Sequence, residues 1–194
     1  MGTTDQFNLG GPKFERGASY IRVIAGLQHP LSPGHVHITS SDPLKKPEVD
    51  PRYLTHPSEL FHLAAGTRFM HNLCNNPKGA LSQYLDYDAR ETPLNGLNRN
   101  GDVDVAGDGA WEEFVWANVS TEHHPSATCS MLPRKAGGIV DPALKVYSTA
   151  NVRVADMSNI LTHIGTHTQS TAYTIGEKCA ALIEEAAVTR RTGL

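Results

Sequence analysis

The sequence predicts an α+β fold in which a small antiparallel sheet is packed by helices. The sheet is predicted by two β-branched, partly alternating runs, residues 19–27 and 35–40, that flank a Pro/Gly-rich turn over residues 28–34. The helices are predicted by apolar residues that recur at helical spacing. They are expected near residues 58–74, 110–118 and 168–187.

Length and composition fit one globular domain. The 194 residues are 39% hydrophobic and 19% charged, and they include 17 Gly and 12 Pro, which is typical of a loop-rich globular protein and excludes a coiled coil. We therefore expect a single domain over residues 19–194, preceded by a flexible, Gly-rich arm over residues 1–18.

The strand predictions follow from alternation and from proline. Runs 19–27 and 35–40 are expected to pair with each other across the intervening turn. Residues 42–53 carry three prolines, which exclude a helix and a central strand, so we expect an extended loop there. Further short strands are predicted at residues 145–147 and 152–155.

Each predicted helix has a local signal. Ser58 follows a proline and precedes the first apolar-periodic segment, so it is the expected N-cap. In the second helix Trp111, Phe114 and Val115 fall on one side. The last helix is expected to begin at about Thr168.

Charge and cysteine content exclude several classes of function. The net charge is −3 and Lys and Arg are scattered, which argues against a nucleic-acid partner. Three widely spaced cysteines are too few for a disulfide framework and are expected to be reduced thiols. We find no secretion signal and no apolar run of membrane-spanning length, so we expect a cytoplasmic protein without a membrane partner.

Ten histidines are the most unusual compositional feature. The spacing of His163 with His167, and of His35 with His37, suits metal ligation on a helix or a strand respectively. However, His163 precedes Gly165 in an expected loop and no Glu lies beside it, so we expect no metal. General acid–base chemistry is the second interpretation.

The third interpretation of the histidines is that they have no functional role. We apply it to residues that lie in turns or on a helix without an identifiable partner: His29, His56, His62 and His71.

Three segments, residues 27–54, 123–147 and 151–183, resemble the C-terminal part of the glucose-methanol-choline (GMC) oxidoreductases, particularly fungal aryl-alcohol and glucose oxidase types. Their motifs occur in the same order over residues 19–187. The resemblance implies a substrate-binding domain built on an antiparallel sheet. In that family an N-terminal half binds FAD.

The resemblance also implies roles for individual residues. The family motif His-Pro-x-Gly-Thr-Cys falls on residues 124–129, so His124 corresponds to the catalytic base. His167 corresponds to the second active-site residue, and Asp156 to a position near the FAD chain. Expected substrate contacts are His123, Trp111, Thr168 and Gln169.

The sequence also departs from the family pattern. Ala127 stands where the family has Gly, Pro33 where it has Arg, and residues 159–161 replace an apolar-x-Pro stretch. The 194 residues contain no GxGxxG motif, so the chain alone is not expected to retain FAD. Without a flavin no side chain accepts a hydride.

Three functions therefore compete. In the first, His124 and His167 perform flavin-independent acid–base chemistry, a cyclisation, isomerisation, dehydration or lyase step on a small apolar metabolite of fungal secondary metabolism. In the second, the chain is the C-terminal piece of an FAD-dependent alcohol oxidoreductase and acts with a separate FAD-binding half. The third is a non-catalytic small-molecule binder. The partner expected for the chain alone is a second copy in a homodimer.

Overall fold

The computed structural model describes residues 19, 21, 23–81, 83–85 and 108–192. Within them, five regular elements and two short 3-10 turns follow one another. In chain order they are β1 (His35–His37), β2 (Glu48–Asp50), α1 (Pro57–Asn75), α2 (Asp108–Asn118), the turns Arg134–Ala136 and Met157–Asn159, and α3 (Gln169–Thr192). The α+β class expected from the sequence is confirmed.

The chain divides into two compact units that alternate along the sequence. The first unit comprises Met1–Leu27 and Arg52–Glu122, and the second comprises Gln28–Pro51 and His123–Leu194. The arm expected over residues 1–18 lies outside the described residues.

The first unit is organised by helices α1 and α2, which pack on each other through a small apolar core. The core consists of Leu54, Ala64, Trp111 and Val115, and Leu60, Leu63 and Val119 pack against it while staying partly exposed. The helix that we expected at 110–118 is confirmed and begins two residues earlier.

The N-terminus of α1 differs from the prediction by its capping residue. His56 is the N-cap: its Nδ1 accepts a hydrogen bond from the backbone N–H of Ser58 at 3.3 Å, and Pro57 opens the helix. Proline suits this position because its missing N–H would be unsatisfied there anyway. The imidazole therefore does the work that we assigned to Ser58, and His56 does have a structural role.

The sheet of the second unit is a two-stranded antiparallel ribbon. His35 pairs with Asp50, Val36 with Val49, and His37 with Glu48. The predicted pairing of residues 19–27 with 35–40 is wrong, because residues 23–27 form no strand and β1 pairs with the segment that follows it. The prediction of an extended loop over residues 42–53 is wrong at residues 48–50, which form β2.

Two local features favour this ribbon. Asp42 closes the connecting loop through its side chain, which accepts from the backbone N–H of Leu44 at 3.0 Å. At the other end, Gly34 lies so close to β2 that an added Cβ would stand 2.6 Å from the carbonyl oxygen of Asp50. Pro47 and Pro51 flank β2 rather than interrupt it, which an edge strand tolerates.

The rest of the second unit is an irregular segment followed by a long helix. The short strands predicted at 145–147 and 152–155 are reduced to isolated bridges, Val140 with Val146 and Lys145 with Arg153. Helix α3 begins within one residue of the prediction but runs five residues further than expected. None of the helices within the described residues has the length and apolar character of a membrane-spanning segment.

Candidate active site

His124 lies in an extended loop whose backbone conformation is unusual on both sides of it. His123 has φ 60° and Ala127 has φ 68°, so both residues adopt the left-handed region that side chains other than glycine rarely occupy. Such strain is typical of segments that position functional groups. The His124 ring is partly buried, and its Nδ1 atom is shielded from solvent.

The loop that carries His124 is anchored to the 3-10 turn Met157–Asn159 by three backbone hydrogen bonds. The N–H groups of Ala127, Cys129 and Met131 donate to the carbonyl oxygens of residues 157, 158 and 159 at 3.2, 2.9 and 2.9 Å. This ladder joins two segments that are about thirty residues apart in sequence and holds them in fixed register.

The turn itself is stabilised by reciprocal capping. The carboxylate of Asp156 accepts from the N–H of Ser158 at 2.8 Å, and the side chain of Asn159 accepts from the N–H of Asp156 at 3.5 Å. Asn159 is buried and also donates to the carbonyl of Val154 at 2.8 Å. The side chain of Asp156 thus caps the turn, and its role toward a cofactor stays a prediction.

His167 and Thr168 lie directly before α3. Thr168 is buried, and its carbonyl accepts from the N–H of Ala172 in the first turn of the helix. Gln169 is the first helical residue and is exposed. The packing of Thr168 therefore fixes the position of the chain at His167, whose own side chain stays exposed.

Three imidazole rings come together in the second unit. The ring centroids of His124 and His167 are 5.2 Å apart in a T-shaped arrangement, with an interplanar angle of 83°. The ring of His163 lies 6.4 Å from that of His124 and is tilted by 32°. The two residues that the resemblance selected are thus neighbours, and His163 joins them.

The protonation pattern of His163 follows from its hydrogen bond. Its Nδ1 lies 2.8 Å from the carbonyl oxygen of Ile164, and a carbonyl can only accept. Nδ1 therefore carries the proton of this bond, and Nε2 is the nitrogen that holds a lone pair in the neutral ring. In the sequence, the one signal that points to His163 is its spacing to His167, and that spacing indicates metal ligation rather than proton transfer.

The expectation that no metal binds these rings stays a prediction. In the part of the chain that the structure describes, no three His, Cys, Asp or Glu side chains are placed to hold a metal ion. The chemistry open to this cluster is proton exchange, because a neutral imidazole can act as a base and a protonated imidazole as an acid.

Two other residues named from the sequence as substrate contacts are Trp111 and His123. Trp111 belongs to the first unit, where it is 3% exposed and its ring meets the His71 ring edge-on at 5.2 Å. Trp111 therefore has a role in packing. The same contact gives His71 an aromatic partner, which the sequence did not reveal. His123 is exposed beside His124. Neither residue's assignment to the substrate is tested by these contacts.

An apolar groove of about 350 Å³ opens in the second unit beside the anchored turn. It is lined by Met131, Leu144, Asn159, Ile160, Leu161 and Ile175. The polar group in this lining is the buried amide of Asn159, which is already used to hold the turn. The groove therefore suits an apolar surface rather than a charged ligand.

Comparison with known proteins identifies the family. The sequence model described as "GMC oxidoreductase" matches residues 30–176, about three quarters of the chain. The chain belongs to the GMC oxidoreductase family. It is 36% identical over 163 residues to a GMC oxidoreductase family protein, Mala s 12, of Malassezia sympodialis, and 31% identical over 155 residues to glucose oxidase 1 of Penicillium expansum. These alignments cover 84% and 79% of this chain.

Solved structures agree with the sequence comparison. A fungal aryl-alcohol oxidase matches 84% of the chain with a TM-score of 0.65 and 33% identity, and a formate oxidase matches 81% with a TM-score of 0.66 and 29% identity. The chain spans about a quarter of the length of these relatives: 24% of both curated proteins, and 25% and 26% of the two solved chains.

Membership in the GMC family gives Ala127 a specific interpretation. This residue stands at the position for which the resemblance implied a glycine, and its φ of 68° is a conformation that glycine adopts at little cost. The chain has kept the left-handed turn beside His124 although it carries an alanine there. The shape of the loop is therefore determined by its surroundings, including the N–H of Ala127 that donates to residue 157.

Proposed function

We propose that this chain is the proton-handling, substrate-side part of a flavin-dependent alcohol oxidoreductase. The observation that supports the proposal most directly is the T-shaped pair of His124 and His167, 5.2 Å apart, in a chain that belongs to the GMC family. The aryl-alcohol oxidase and glucose oxidase among its relatives are named for alcohol and sugar substrates. We infer an alcohol as the substrate class.

Alcohol oxidation requires a base for the hydroxyl proton, and His124 is the proposed base. A neutral imidazole within hydrogen-bond reach of the hydroxyl takes its proton as the carbon loses a hydride. The ring of His167 meets the His124 ring edge to face, and this proximity supports our assignment of His167 as the donor of a hydrogen bond to the oxygen that is losing its proton.

We assign His163 a supporting role in this proton transfer. Because its Nδ1 is bound to the carbonyl of Ile164, its neutral ring offers Nε2 as an acceptor. At a centroid separation of 6.4 Å the two rings are too far apart for a direct hydrogen bond and close enough for one bridging water. His163 can thereby receive the proton that His124 has taken and restore the base.

The residues of the turn fit the polyol part of FAD. Within the described residues, the buried Oγ of Ser158 has no hydrogen-bond partner, and such a hydroxyl costs about 1–3 kcal/mol if it stays unsatisfied. The neighbouring carboxylate of Asp156 can accept from hydroxyl groups but repels phosphate. Ser158 and Asp156 are therefore the residues that we expect to hold the flavin chain. FAD supplies the hydride acceptor when it is bound.

Exposed apolar side chains support an arrangement in which further protein or cofactor covers this chain. Ile38 and Leu44 are 88% and 90% exposed, and Phe61, Phe69 and Leu161 are exposed by more than half. Burial of one such side chain stabilises by about 1.5–3 kcal/mol. A piece of a flavoenzyme would leave such side chains uncovered, whereas an independent, flavin-free protein would cover them by self-association or replace them by polar residues.

The first experiment asks whether the chain holds flavin. We would record the absorbance spectrum of the purified chain after incubation with FAD and gel filtration, alone and together with the N-terminal three quarters of a GMC relative. The proposal predicts that flavin absorbance bands co-elute with this chain when the N-terminal part is present. It also predicts that the mixture oxidises one or more alcohols of a test panel when a dye is supplied as electron acceptor. A mixture without co-eluting flavin contradicts the proposal.

The second experiment tests the base. In the flavin-loaded protein, His124→Ala is expected to lower kcat by about 100- to 10,000-fold, the usual contribution of a general base. His62→Ala is the matched control, because this exposed histidine on α1 contacts only its own helix through Ser58 in the hydrogen bonds described. An unchanged kcat in His124→Ala would exclude it as the base.

A second candidate function is flavin-independent acid–base chemistry on a small apolar metabolite. The favouring observation is that all three imidazoles and the apolar groove belong to one compact unit. Two imidazoles in one pocket can act as base and acid when their environments differ. This alternative predicts turnover by the chain without flavin, and that turnover must be lost in the His124→Ala, His167→Ala double variant.

A further inference from the structure

The β1–β2 ribbon has two chemically different faces. Residues directly opposite each other in an antiparallel pair share a face, and residues two apart on one strand share it too. The register places His35, His37, Glu48 and Asp50 on one face, with each imidazole opposite a carboxylate. Val36 and Val49 form the cross-strand pair on the other face.

The two imidazole rings converge on one another. Residues i and i+2 of a strand are separated by about 6.5–7 Å along the backbone. The ring centroids of His35 and His37 are only 4.7 Å apart, with an interplanar angle of 31°. Two imidazoles bound to one tetrahedral metal ion through bonds of about 2 Å hold their centroids about 5 Å apart. The observed separation is close to this value.

The polar face is also the one expected to stay accessible. Val36 and Val49 are exposed by 43% and 63%, and an apolar cross-strand pair is the side of a ribbon that is covered by other protein. His37 and Glu48 are exposed on the opposite side. An ion can therefore reach the histidine face whether the valine face is covered or not.

Contrary to the expectation from the sequence that no metal binds, we propose that His35 and His37 chelate a borderline divalent transition-metal ion, Zn²⁺ or Cu²⁺, on this face of the ribbon. Imidazole is a preferred ligand of both ions, whereas Mg²⁺ and Ca²⁺ prefer oxygen donors. Within the described residues no three candidate side chains are yet arranged around one point, so the imidazole pair is the preformed part of the site. The carboxylate of Glu48, which lies on the exposed strand position opposite His37, completes the coordination by rotating toward the ion.

The ion would link the two strands. A metal bound to His37 on β1 and Glu48 on β2 bridges a cross-strand pair. An ion that binds only the folded ribbon stabilises it by an amount that grows with the logarithm of the free-ion concentration once this exceeds the Kd. This site uses none of the residues of the three-histidine cluster and does not depend on the function proposed for that cluster.

The test is a calorimetric titration of the full 194-residue chain with ZnCl₂. We expect one ion per chain, and an affinity that falls at least about tenfold in His35→Ala and in His37→Ala, because a direct ligand contributes more than an outer-shell partner. Glu48→Gln is expected to weaken binding less than either histidine variant. MgCl₂ should produce no comparable heat.

The matched controls are the other histidines with chelating spacing. The double variant His163→Ala, His167→Ala should bind Zn²⁺ as the unmodified chain does, and so should His62→Ala. The proposal is overturned if the unmodified chain does not bind Zn²⁺, if His35→Ala and His37→Ala retain full affinity, or if the His163, His167 variant alone loses binding.

A second readout identifies the ligands without relying on affinity. In a ¹H–¹⁵N spectrum of the histidine rings, Zn²⁺ should shift the ring nitrogens of His35 and His37 and leave those of His56 and His62 in place. Shifts confined to other histidines would assign the ion to a different site. Circular dichroism of each variant verifies that the helices are retained.

Discussion

The α1–α2 pair and the histidine-bearing loops are held together by different forces. The helices pack through apolar side chains, with Trp111 and Val115 buried against Ala64 and Leu54. The loop after His124 instead depends on backbone hydrogen bonds to the turn at residues 157–159, and His167 directly precedes the buried Thr168 at the start of α3. The first region is specified by a periodic pattern of side-chain polarity. The second is specified by individual polar contacts and by two residues with positive φ.

The largest effect is expected in the helical region, at the centre of its core. Trp111→Ala should lower the free energy of unfolding by about 3–5 kcal/mol, because truncation of a buried Trp leaves a cavity. Trp116→Ala on the same helix is the control: Trp116 is 56% exposed, and a change of within about 0.5 kcal/mol is expected. Urea denaturation followed by circular dichroism measures both. Equal effects would show that the core does not hold these helices.

The same contrast explains which parts of the fold are predictable. All three helices follow from apolar spacing, and their ends differ from prediction by at most five residues. Not every apolar residue on them is buried, however. On α3, Tyr173 is 69% exposed, and the buried residue of that helix is Cys179. Spacing predicts that a helix forms more reliably than it predicts which face is covered.

An intermediate effect is expected at the anchor of the loops. Asn159→Ala should cost about 1–3 kcal/mol, because it removes the donor to the carbonyl of Val154 and the acceptor for the N–H of Asp156 in a buried turn. Asn151→Ala, at an exposed position of the same segment, is the matched control. Urea unfolding of the two variants measures the difference. Indistinguishable midpoints would mean that the Asn159 side chain does not stabilise the turn.

The smallest effect is expected at Ala127. Replacement by glycine relieves the left-handed strain of about 1–2 kcal/mol and loses about 0.5–1 kcal/mol through the greater freedom of glycine in the unfolded chain, so a net gain of about 0.5–1 kcal/mol is expected. Ala155→Gly, where φ is not positive, should instead destabilise. Thermal unfolding of the two variants in opposite directions would support the interpretation, and a loss in both would contradict it.

The parts that could not be predicted share one physical cause. The ribbon pairs residues 35–37 with 48–50 because Asp42 closes the loop and Gly34 permits a close approach, and neither contact produces an alternating pattern. His124 and His167 were paired only through the family resemblance. His163 was paired with His167 only by a spacing that suits metal ligation, and not with His124, because its place depends on how an irregular segment folds back, which periodicity does not reveal.

The ladder between residues 127–131 and 157–159 has a consequence for the integrity of the chain. The segment between these two stretches has its own supports: the hydroxyl of Tyr147 donates to the carbonyl of Leu132, and the N–H of Ile139 donates to that of Ser130. Residues 148–151, which belong to this connecting segment, are exposed. A protease that cuts there would break the covalent path between His124 and His167, while the backbone ladder would still hold the two fragments together.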